Sequence, residues 1–361
     1  MTASSKRDWM GSAGSLKNTS IPIAGQQLAQ KRIFVTGAGG SIGSALVQAI
    51  AKHGPSEVLL VDAAEQALYQ IDRSLNAPHK AILANVCDAI AVEEALERYR
   101  PHIVFHAAAH KHVALMEAHP FAAVENNTIG AFKLAQLALR YGVEQFILVS
   151  TDKAVDPAGI MGASKRLAEL TVLALQTSRT KIKAVRLGNV YGSQGSVVPL
   201  FQEQIARGGP LTVTDAEATR YFLSLEQAAA LLLFALSEEA PGAILVPEFN
   251  APDRIEEIAR RLILQSGSKP EIIHTGLCSG EKLHERLYSD EEILLGEPGA
   301  ALRPIHGPQI SREEAEGTIN ALENAIRERS LSRMLDEIRR LIPAYRPSET
   351  VLSSQSAECR V

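Results

Sequence analysis

The stretch at residues 32–61 carries the pattern that most constrains the fold. A short apolar run at residues 33–35 meets a glycine cluster, an amphipathic stretch follows at residues 41–53, and a second apolar run lies at residues 58–61. Apolar runs of this length bounded by glycine are typical of buried strands, and the spacing between them is helical. The order is therefore strand, turn, helix and strand, the unit that places two parallel strands in one sheet.

The same alternation continues through the first half of the chain. Further strands are predicted at residues 81–86, 103–109, 146–150 and 184–187, with helical patterns that include residues 127–141 and 162–177. Strands separated by helices form a parallel sheet that is covered on both faces. The predicted fold class is α/β, a Rossmann-type doubly wound parallel sheet.

The regular alternation of strands and helices ends after Asn189. Loops with glycine and proline alternate there with short helices, and residues 313–342 are helical and rich in charge. We interpret this half as a smaller α/β C-terminal cap that binds substrate. The predicted division is a flexible leader at residues 1–30 and a Rossmann domain at 31–190, whose core continues through interleaved segments to about 250. Residues 191–345 are expected to form mainly the cap and C-terminal helices, and residues 346–361 a flexible tail.

The composition is that of a globular protein and not of a nucleic-acid binder. With 37 Lys and Arg against 41 Asp and Glu, the 361-residue chain has a formal net charge of −4, whereas nucleic-acid-binding domains usually carry a basic face. No apolar stretch approaches the roughly 18–20 residues of a membrane span. Cys87, Cys278 and Cys359 lie far apart without metal-ligand spacing, so we expect free thiols, a reducing cytoplasm and no metal site.

The first turn, residues 36–43, reads Thr-Gly-Ala-Gly-Gly-Ser-Ile-Gly. Glycines let the backbone turn sharply and approach a pyrophosphate, while the following helix directs its first N–H groups at the anion. The turn follows a predicted strand and opens a helix, a context that favours a dinucleotide site over a glycine turn without ligand. The candidate cofactor residues of the turn are Gly37, Gly39, Gly40, Ser41, Ile42 and Gly43.

Asp62 ends the second predicted strand. An acidic residue at this point normally binds the hydroxyls of the adenosine ribose and disfavours a 2′-phosphate, so the predicted cofactor is NAD. NADP stays open, because Arg73 or Lys80 could reach a 2′-phosphate in the folded chain.

Two further segments lie at the ends of predicted strands. Asn85 and Val86 are candidates for contacts to adenine, although the neighbouring Asp88 equally suits a helix cap. The small residues that end the fourth strand fit beside a nicotinamide nucleotide, with close strand packing as the alternative. These residues are Ala107, Ala108 and Ala109.

The fifth strand ends in Thr151, Asp152 and Lys153, and the next helix begins near Met161 and carries Lys165. The carboxyl ends of the strands are where an open α/β sheet assembles its chemistry. Consecutive polar side chains at such an end indicate a catalytic group, with a solvated loop pair or a helix cap as the alternative.

At this point the sequence resembles the extended short-chain dehydrogenase/reductases. Within them it is similar to the nucleotide-sugar 4,6-dehydratases of polysaccharide biosynthesis, the CapD-type group that acts on UDP-N-acetylglucosamine. The segments that carry the resemblance are residues 35–44, 108–113, Glu117, Asn126 with Asn127, and residues 150–155, 161–169, 186–190, 195–201, 219–222 and 280–282.

Met161 is a departure from the general superfamily pattern. Most short-chain dehydrogenases carry Tyr-x-x-x-Lys, whereas this chain has Met161 with Lys165 four residues later. A thioether is a weak acceptor and cannot relay a proton. The resembled dehydratases also carry Met there, so the resemblance implies the Met-x-x-x-Lys dehydratase type, with Lys165 on the nicotinamide ribose. Core packing by Met161 is compatible with the same conclusion.

The resemblance implies that bound NAD transiently oxidises C4 of the sugar, that water is lost across C5 and C6, and that the hydride returns to C6. A base must take H5 and an acid must protonate the departing 6-hydroxyl. We assign Lys153 as base and Asp152 as acid, on the expectation that burial lowers the pKa of Lys153 and raises that of Asp152. Thr151 would hydrogen-bond the 4-oxygen. The 4-hydroxyl proton would go to Lys153, or to Asp152 through Thr151 or water.

The resemblance also implies a UDP-sugar substrate and a homo-oligomer. The implied substrate residues are Lys111 and His112 near the sugar and diphosphate, Asn189 and Arg220 at the diphosphate, Val198 and Thr212 at the uridine, and Lys282 where the pocket closes. Surface charges and turn formers are their structural alternatives. Two other functions stay open: a UDP-sugar epimerase or reductase of the same superfamily, and a catalytically silent dinucleotide-binding regulatory protein.

Overall fold

The computed structural model describes residues 16–17, 21 and 25–358. Within them the strands are β1 Arg32–Thr36, β2 Glu57–Asp62, β3 His79–Leu83, β4 Ile103–His106, β5 Gln145–Thr151, β6 Lys181–Leu187, β7 Asn189–Val190, β8 Leu211–Val213, β9 Thr219–Arg220, β10 Phe222–Leu223, β11 Ile244–Pro247, β12 Asp253–Arg254, β13 Ile272–His274, β14 Ile293–Leu294 and β15 Leu302–His306.

The helices lie before the first of these strands, between them and after the last. They are α1 Gly25–Leu28, α2 Ser41–Ala51, α3 Glu65–Ser74, α4 Ala89–Tyr99, α5 Val113–Ala118, α6 Pro120–Val124, α7 Ala131–Arg140, α8 Ile160–Leu173, α9 Val197–Ala206, α10 Leu225–Phe234, α11 Ile255–Ser266, α12 Arg312–Arg327, α13 Leu331–Leu341 and α14 Glu349–Glu358. A π-helical turn at Glu125–Gly130 precedes α7, and a 3₁₀ turn at Asp152–Ala154 follows β5. Among the described residues, no helix combines the length and apolar character that a membrane span requires.

The main sheet has the order β14-β15-β11-β6-β5-β4-β1-β2-β3. Seven of these strands run parallel to one another: β3, β2, β1, β4, β5, β6 and β11. The other two, β15 and β14, extend the edge beyond β11 by antiparallel pairing. The strand order reverses between β1 and β4, where Thr36 pairs with His106. An open α/β sheet binds its ligand outside the carboxyl ends of the strands at such a reversal. The predicted doubly wound α/β sheet is confirmed.

Both faces of the sheet are covered, which explains why its strands are almost continuously apolar. On one face, Ile33 and Val35 of β1 pack in a core that includes residues of α2 and α10. On the other face, Phe34 packs in a core with residues of α7, α8, α12 and α13. Successive residues of β1 therefore bury on opposite sides.

The C-terminal half also forms a smaller unit with its own core. Its short pairings are β8 with β13, β9 with β12 and β7 with β10. The core of this cap is built around residues that include Val198, Phe201, Leu211, Phe222 and Ile258. The backbone N–H of Gln194 donates to Ser41 Oγ at 3.0 Å, so a loop of the second half lies against the start of α2.

The predicted division of the chain needs correction at three points. The main-sheet core does not stop near residue 250, because β15 and α12 also belong to the main sheet and its cores. The leader is not flexible throughout: Leu16 is 2% exposed and bridges Phe249. The apolar side chain of Leu16 packs in a main-sheet core, which outweighs the glycine- and serine-rich composition around it. The rest of residues 1–24, apart from residues 17 and 21, lies outside the described residues.

The tail is also ordered where it was expected to be flexible. Residues 349–358 form α14, and Val351 is fully buried in the core next to α12 and α13. Ser348 Oγ donates to Glu117 Oε2 at 2.5 Å, which fixes the start of this segment. Burial of an apolar residue and one buried hydrogen bond thus anchor a segment whose composition alone suggests a frayed end. Residues 359–361 lie outside the described residues.

Candidate active site

The glycine turn is packed too tightly for side chains. Gly37 has a φ of +64°, and a Cβ on Gly43 would lie 1.9 Å from the carbonyl oxygen of Gly37. Gly40 is the N-cap of α2 and provides no side-chain cap. The first N–H groups of a helix lack intrahelical partners, so an uncapped end with a close backbone turn suits an anion such as a pyrophosphate.

Asp62 is held against this turn. Its Oδ2 accepts from the backbone N–H of Gly39 and its Oδ1 from that of Ala64, each at 2.9 Å. A carboxylate oxygen has two lone pairs, so both oxygens keep acceptor capacity for ribose hydroxyls. The negative charge beside the turn opposes a 2′-phosphate. The residues present therefore fit the adenosine half of NAD.

The loop after β4 closes over the same turn. A Cβ on Gly37 would lie 2.8 Å from the backbone nitrogen of Ala108, and that nitrogen donates to Thr36 Oγ1 at 3.3 Å. Ala107 donates its N–H to the carbonyl of Thr36 at 3.2 Å, and Ala109 is exposed. The small side chains at 107–109 leave space beside the carboxyl end of β1.

Asn127 fixes this loop, although it is not among the predicted site residues. Its Oδ1 accepts from the N–H of His110 at 2.8 Å, and its Nδ2 donates to the His110 carbonyl at 2.9 Å and to Ser164 Oγ at 3.0 Å. Asn127 is fully buried in the π-helical turn. It therefore ties the loop after β4 to α8, a connection that no local sequence pattern reveals.

The adenine candidates after β3 form a turn. Asn85 Oδ1 accepts from the N–H of Cys87 at 2.9 Å, and Val86 is buried. Asp88 is the N-cap of α4, where its Oδ1 accepts from the N–H of Ala91 at 3.1 Å. The helix-cap interpretation of Asp88 is confirmed.

Met161 and Lys165 are both buried in the first turns of α8. Lys165 Nζ donates to the carbonyl oxygen of Val149 at 2.7 Å, which directs the amine to the end of β5. Burial lowers the pKa of Lys165 to about 8, against a smaller opposing effect of Glu169. Met161 is 3% exposed and belongs to the core on its face of the sheet.

Thr151, Asp152 and Lys153 form one hydrogen-bonded group where β5 ends. Asp152 Oδ1 accepts from Thr151 Oγ1 at 2.9 Å and from Lys153 Nζ at 3.0 Å. Asp152 is fully buried, and its Oδ2 makes no hydrogen bond within the described part of the chain. A buried carboxylate oxygen without a partner is costly, which points to a ligand group at this position.

The expectation that burial lowers the pKa of Lys153 is wrong. Burial by itself would lower the pKa of the Lys153 amine, but the carboxylates of Asp152 and Glu285 outweigh it, so that the pKa is raised. The amine also donates to Asn189 Oδ1 at 2.9 Å. Lys153 is therefore an ammonium held between two oxygen acceptors, and not an amine neutralised by burial.

Glu285 is the site residue that sequence reasoning missed. Its side chain is 2% exposed, with Oε1 3.7 Å from Lys153 Nζ and Oε2 2.9 Å from Lys282 Nζ. Lys282 also donates to the carbonyl oxygen of Val155 at 2.7 Å. The available signal was the three-residue spacing from Lys282, which is too common to identify a site.

The remaining substrate candidates divide into two sets. Arg220 lies near the polar group that ends β5, where its charge opposes protonation of Lys153, and it donates to the carbonyl oxygens of Thr219, Leu283 and Lys282 at 2.8–3.0 Å. Thr212 is bound within the cap, where Gln204 Nε2 donates to its Oγ1 at 2.7 Å. Val198 is buried in the cap core.

Lys111 and His112 lie on the loop that leads into α5. Burial lowers the pKa of Lys111. His112 packs against Gly195, where a Cβ would lie 2.3 Å from Cε1 of the imidazole ring. The loop thus meets the segment after β7, on the side where Gln194 contacts Ser41.

The sequence model of a family described as "Polysaccharide biosynthesis protein" matches residues 33–298. The capsular polysaccharide biosynthesis protein CapD of Staphylococcus aureus is 40% identical over 76% of this chain and 47% of its own length. The probable polysaccharide biosynthesis protein EpsC of Bacillus subtilis is 43% identical over 73% of this chain and 46% of its own length. The chain thus spans about half the length of these two curated relatives.

A third relative has a different name. The UDP-glucose 4-epimerase of Rickettsia rickettsii is 35% identical over 73% of this chain and 79% of its own length.

Two solved structures have the same fold. The structure of Pen from Bacillus thuringiensis aligns with a TM-score of 0.71 at 26% identity, over 81% of this chain and 98% of that one. DesIV, a dTDP-glucose 4,6-dehydratase from Streptomyces venezuelae solved with NAD and TYD bound, aligns with a TM-score of 0.65 at 22% identity, over 82% and 98%. With the doubly wound sheet and the glycine turn, these matches establish that the chain belongs to the polysaccharide biosynthesis protein family of extended short-chain dehydrogenase/reductases.

Proposed function

We propose that this chain is a nucleotide-sugar 4,6-dehydratase that converts UDP-N-acetylglucosamine to a UDP-4-keto-6-deoxy-N-acetylhexosamine with the help of bound NAD. The observation that carries the proposal is the hydrogen-bonded group of Thr151, Asp152 and Lys153 at the carboxyl end of β5, in which Asp152 is fully buried. An acid and a base joined in one group are what an elimination of water requires.

The cofactor part of the proposal rests on the fit of the residues around the glycine turn. Residues 37–43 would hold the pyrophosphate, Asp62 the adenosine ribose and Lys165 the nicotinamide ribose. When bound, NAD accepts a hydride from the sugar and later gives it back, which leaves no net redox change. Asn85, Val86 and residues 107–109 would line the two ends of the cofactor.

The chain's own residues would handle the protons. Lys153 Nζ lies 3.0 Å from Asp152 Oδ1, a distance over which one proton can be shared. Transfer of that proton to Asp152 would produce a neutral amine and a carboxylic acid. Lys153 could then remove H5 while Asp152 protonates the departing 6-hydroxyl. The 4-hydroxyl proton has two candidate acceptors, Lys153 directly or Asp152 through Thr151 or water.

Substrate binding would use the residues around this group. Asn189, at 2.9 Å from Lys153 Nζ, and Arg220 would bind the diphosphate. An arginine has five guanidinium N–H donors. In Arg220 three of them donate to backbone carbonyls of other residues, and the remaining two would bind a phosphate. Val198 and Thr212 would contact the uridine, Lys111 and His112 the sugar side, and Lys282 the closing edge.

A UDP-sugar 4-epimerase is the second candidate, favoured by the relative that bears this name. An epimerase on this scaffold would invert C4 and keep the 6-hydroxyl. Met161 argues against it, because epimerases of the general Tyr-x-x-x-Lys pattern need the proton relay that a thioether cannot provide. The paired acid and base at Asp152 and Lys153 also have no task in an epimerisation.

The test is to incubate the NAD-loaded protein with UDP-N-acetylglucosamine in heavy water and to follow the proton NMR spectrum. We expect a new C6 methyl signal and loss of H5. A 4-epimer that keeps its 6-hydroxyl would support the second candidate instead. An unchanged spectrum with this and a panel of other nucleotide sugars, while NAD is bound, would identify a dinucleotide-binding protein without turnover.

A further inference from the structure

Glu285 is a buried carboxylate that the proposed reaction leaves without a task. It lies outside β5 and α8, in the segment that follows β13, yet its two oxygens face two different lysines. Oε1 is 3.7 Å from Lys153 Nζ and Oε2 is 2.9 Å from Lys282 Nζ. A carboxylate at 2% exposure is retained only when charges or donors compensate its lost hydration.

The two contacts of Lys153 to carboxylates differ in kind. Asp152 Oδ1 and Asn189 Oδ1 accept hydrogen bonds from its Nζ at 3.0 and 2.9 Å, so they fix the position of the amine. Glu285 at 3.7 Å is beyond hydrogen-bond length and acts through space. Glu285 therefore affects the protonation of Lys153 and does not fix the position of the amine.

The charged groups around Lys153 come from three parts of the chain. Asp152 contributes a carboxylate from the end of β5, Arg220 a guanidinium from β9, and the segment after β13 contributes Glu285 and Lys282. Without Glu285, Lys153 would face one carboxylate, Asp152, and one cation, Arg220. With Glu285, carboxylates outnumber cations among these neighbours, and the ammonium form of Lys153 is retained.

We propose that Glu285 is a positioning residue for the proton of Lys153: a remote carboxylate that keeps this lysine charged until it passes a proton to Asp152. The catalytic consequence rests on the proposed function. Because the Lys153–Asp152 pair must hold one proton for Asp152 to act as acid, the activity falls at high pH as the pair loses that proton. Glu285 then sets the pH at which the fall occurs.

The experiment measures the titration of Lys153 directly. The full chain is labelled competitively with acetic anhydride across a pH series, and the peptide that contains Lys153 is quantified by mass spectrometry. Glu285→Gln removes the charge and nearly keeps the shape, Glu285→Asp keeps the charge, and Glu291→Gln makes the same change at an exposed position of the same segment.

We expect the apparent pKa of Lys153 to fall by about one pH unit or more in Glu285→Gln, as is usual when a close opposite charge is removed. Glu285→Asp should retain most of the wild-type value and Glu291→Gln all of it. Circular dichroism and thermal unfolding verify that each variant is folded. A Lys153 titration that is the same in folded Glu285→Gln and in the wild type would overturn the proposal.

A second variant keeps the test decisive if Glu285→Gln does not fold. Lys282→Met removes a cation and leaves Glu285 facing Lys153 alone, so the apparent pKa of Lys153 should rise. An unchanged or lower value in this variant would also overturn the proposal.

The activity measurement separates this inference from the proposed function. In the dehydration assay, the falling limb of the pH profile at high pH should move to lower pH in Glu285→Gln by the amount that labelling gives. A limb that does not move would contradict the role of Glu285. Labelling requires no substrate, so an absence of dehydration in the wild type would refute the proposed function and leave the role of Glu285 to be decided by the titration.

Discussion

The backbone N–H of Ile160, the first residue of α8, donates to Oε1 of Glu117 at 2.7 Å. Glu117 is fully buried at the end of α5, and its carboxyl group lies between Gly159 and Gly280, where added Cβ atoms would come within 2.7 and 2.9 Å of it. Its other oxygen accepts from Ser348. One carboxylate thus joins the start of the helix that carries Met161 to the loop before Lys282 and to the C-terminal segment.

We predict that Glu117→Ala lowers the free energy of unfolding by about 1–2 kcal/mol, because α8 loses the acceptor at its N-terminus. Turnover should fall as well, since both α8 and the Lys282 loop lose their common anchor. Denaturant unfolding measures the first effect, with Glu94→Ala at an exposed position of α4 as the control. Equal unfolding midpoints for Glu117→Ala and the control would contradict the assignment.

Asp152→Asn and Lys153→Met should each abolish turnover and leave NAD bound. The first removes the acid and the second the base, while the glycine turn and Asp62 are untouched. NMR detection of the C6 methyl product measures turnover, and absorbance after denaturation measures the retained cofactor. A rate near that of the wild type in either variant would show that the residue has another role.

Met161→Leu should retain activity. Met161 is buried among apolar residues, and leucine is a similar hydrophobe of comparable volume. The expected change in rate is less than about threefold, in line with the small cost of such exchanges. A folded variant without activity would reveal a function of the thioether beyond packing.

Glu169→Gln should destabilise the protein in a pH-dependent way. Burial would raise the pKa of Glu169, but its pairing with Arg186, at 2.8 Å, lowers the pKa to about 2. The ionised carboxylate therefore stabilises the fold above its usual pKa of 4.5, and this stabilisation is lost as the pH falls from there towards 2.

The loss in Glu169→Gln should be about 3 kcal/mol at neutral pH, the order expected from a shift of this size and from breaking a buried ion pair. Urea unfolding of both proteins over a series of acidic pH values measures the difference. The difference in the free energy of unfolding between the two proteins should decrease below pH 4.5. A difference that is constant with pH would mean that the charge of Glu169 does not stabilise the fold. Glu94→Gln, at an exposed position of α4, is the matched control.

Asp62→Ala should weaken NAD binding by about tenfold or more, the usual effect of losing a hydrogen bond to a charged group. The preference over NADP should decrease at the same time, because the negative charge beside the glycine turn is removed. Calorimetric titration with each dinucleotide measures both effects. An unchanged affinity ratio would place the ribose away from Asp62.

Some features of the site could be predicted because they depend on local sequence. Strand periodicity locates the end of β5, and the end of a parallel strand fixes the edge at which Thr151, Asp152 and Lys153 lie. The strand ends at Thr36 and Asp62 follow in the same way, whereas the strand predicted at residues 103–109 already ends at His106. Glycine at positions 37 and 43 follows from a turn that has no room for a Cβ.

Other features required the folded chain. The raised pKa of Lys153 depends on Glu285, and the position of α8 depends on Glu117, each supplied by a segment far away in the sequence. Asn127 connects two elements in the same way. The burial of Leu16 and of Val351 likewise depends on core positions that only other segments create.

The sequence by itself therefore determined the α/β architecture, the glycine turn with Asp62, and the polar group that ends β5, because periodicity and turn chemistry act between residues close in the chain. Only the tertiary structure decided which remote carboxylates reach Lys153 and α8. Electrostatic interactions depend on distance in space and on burial, and neither can be read from separation along the chain.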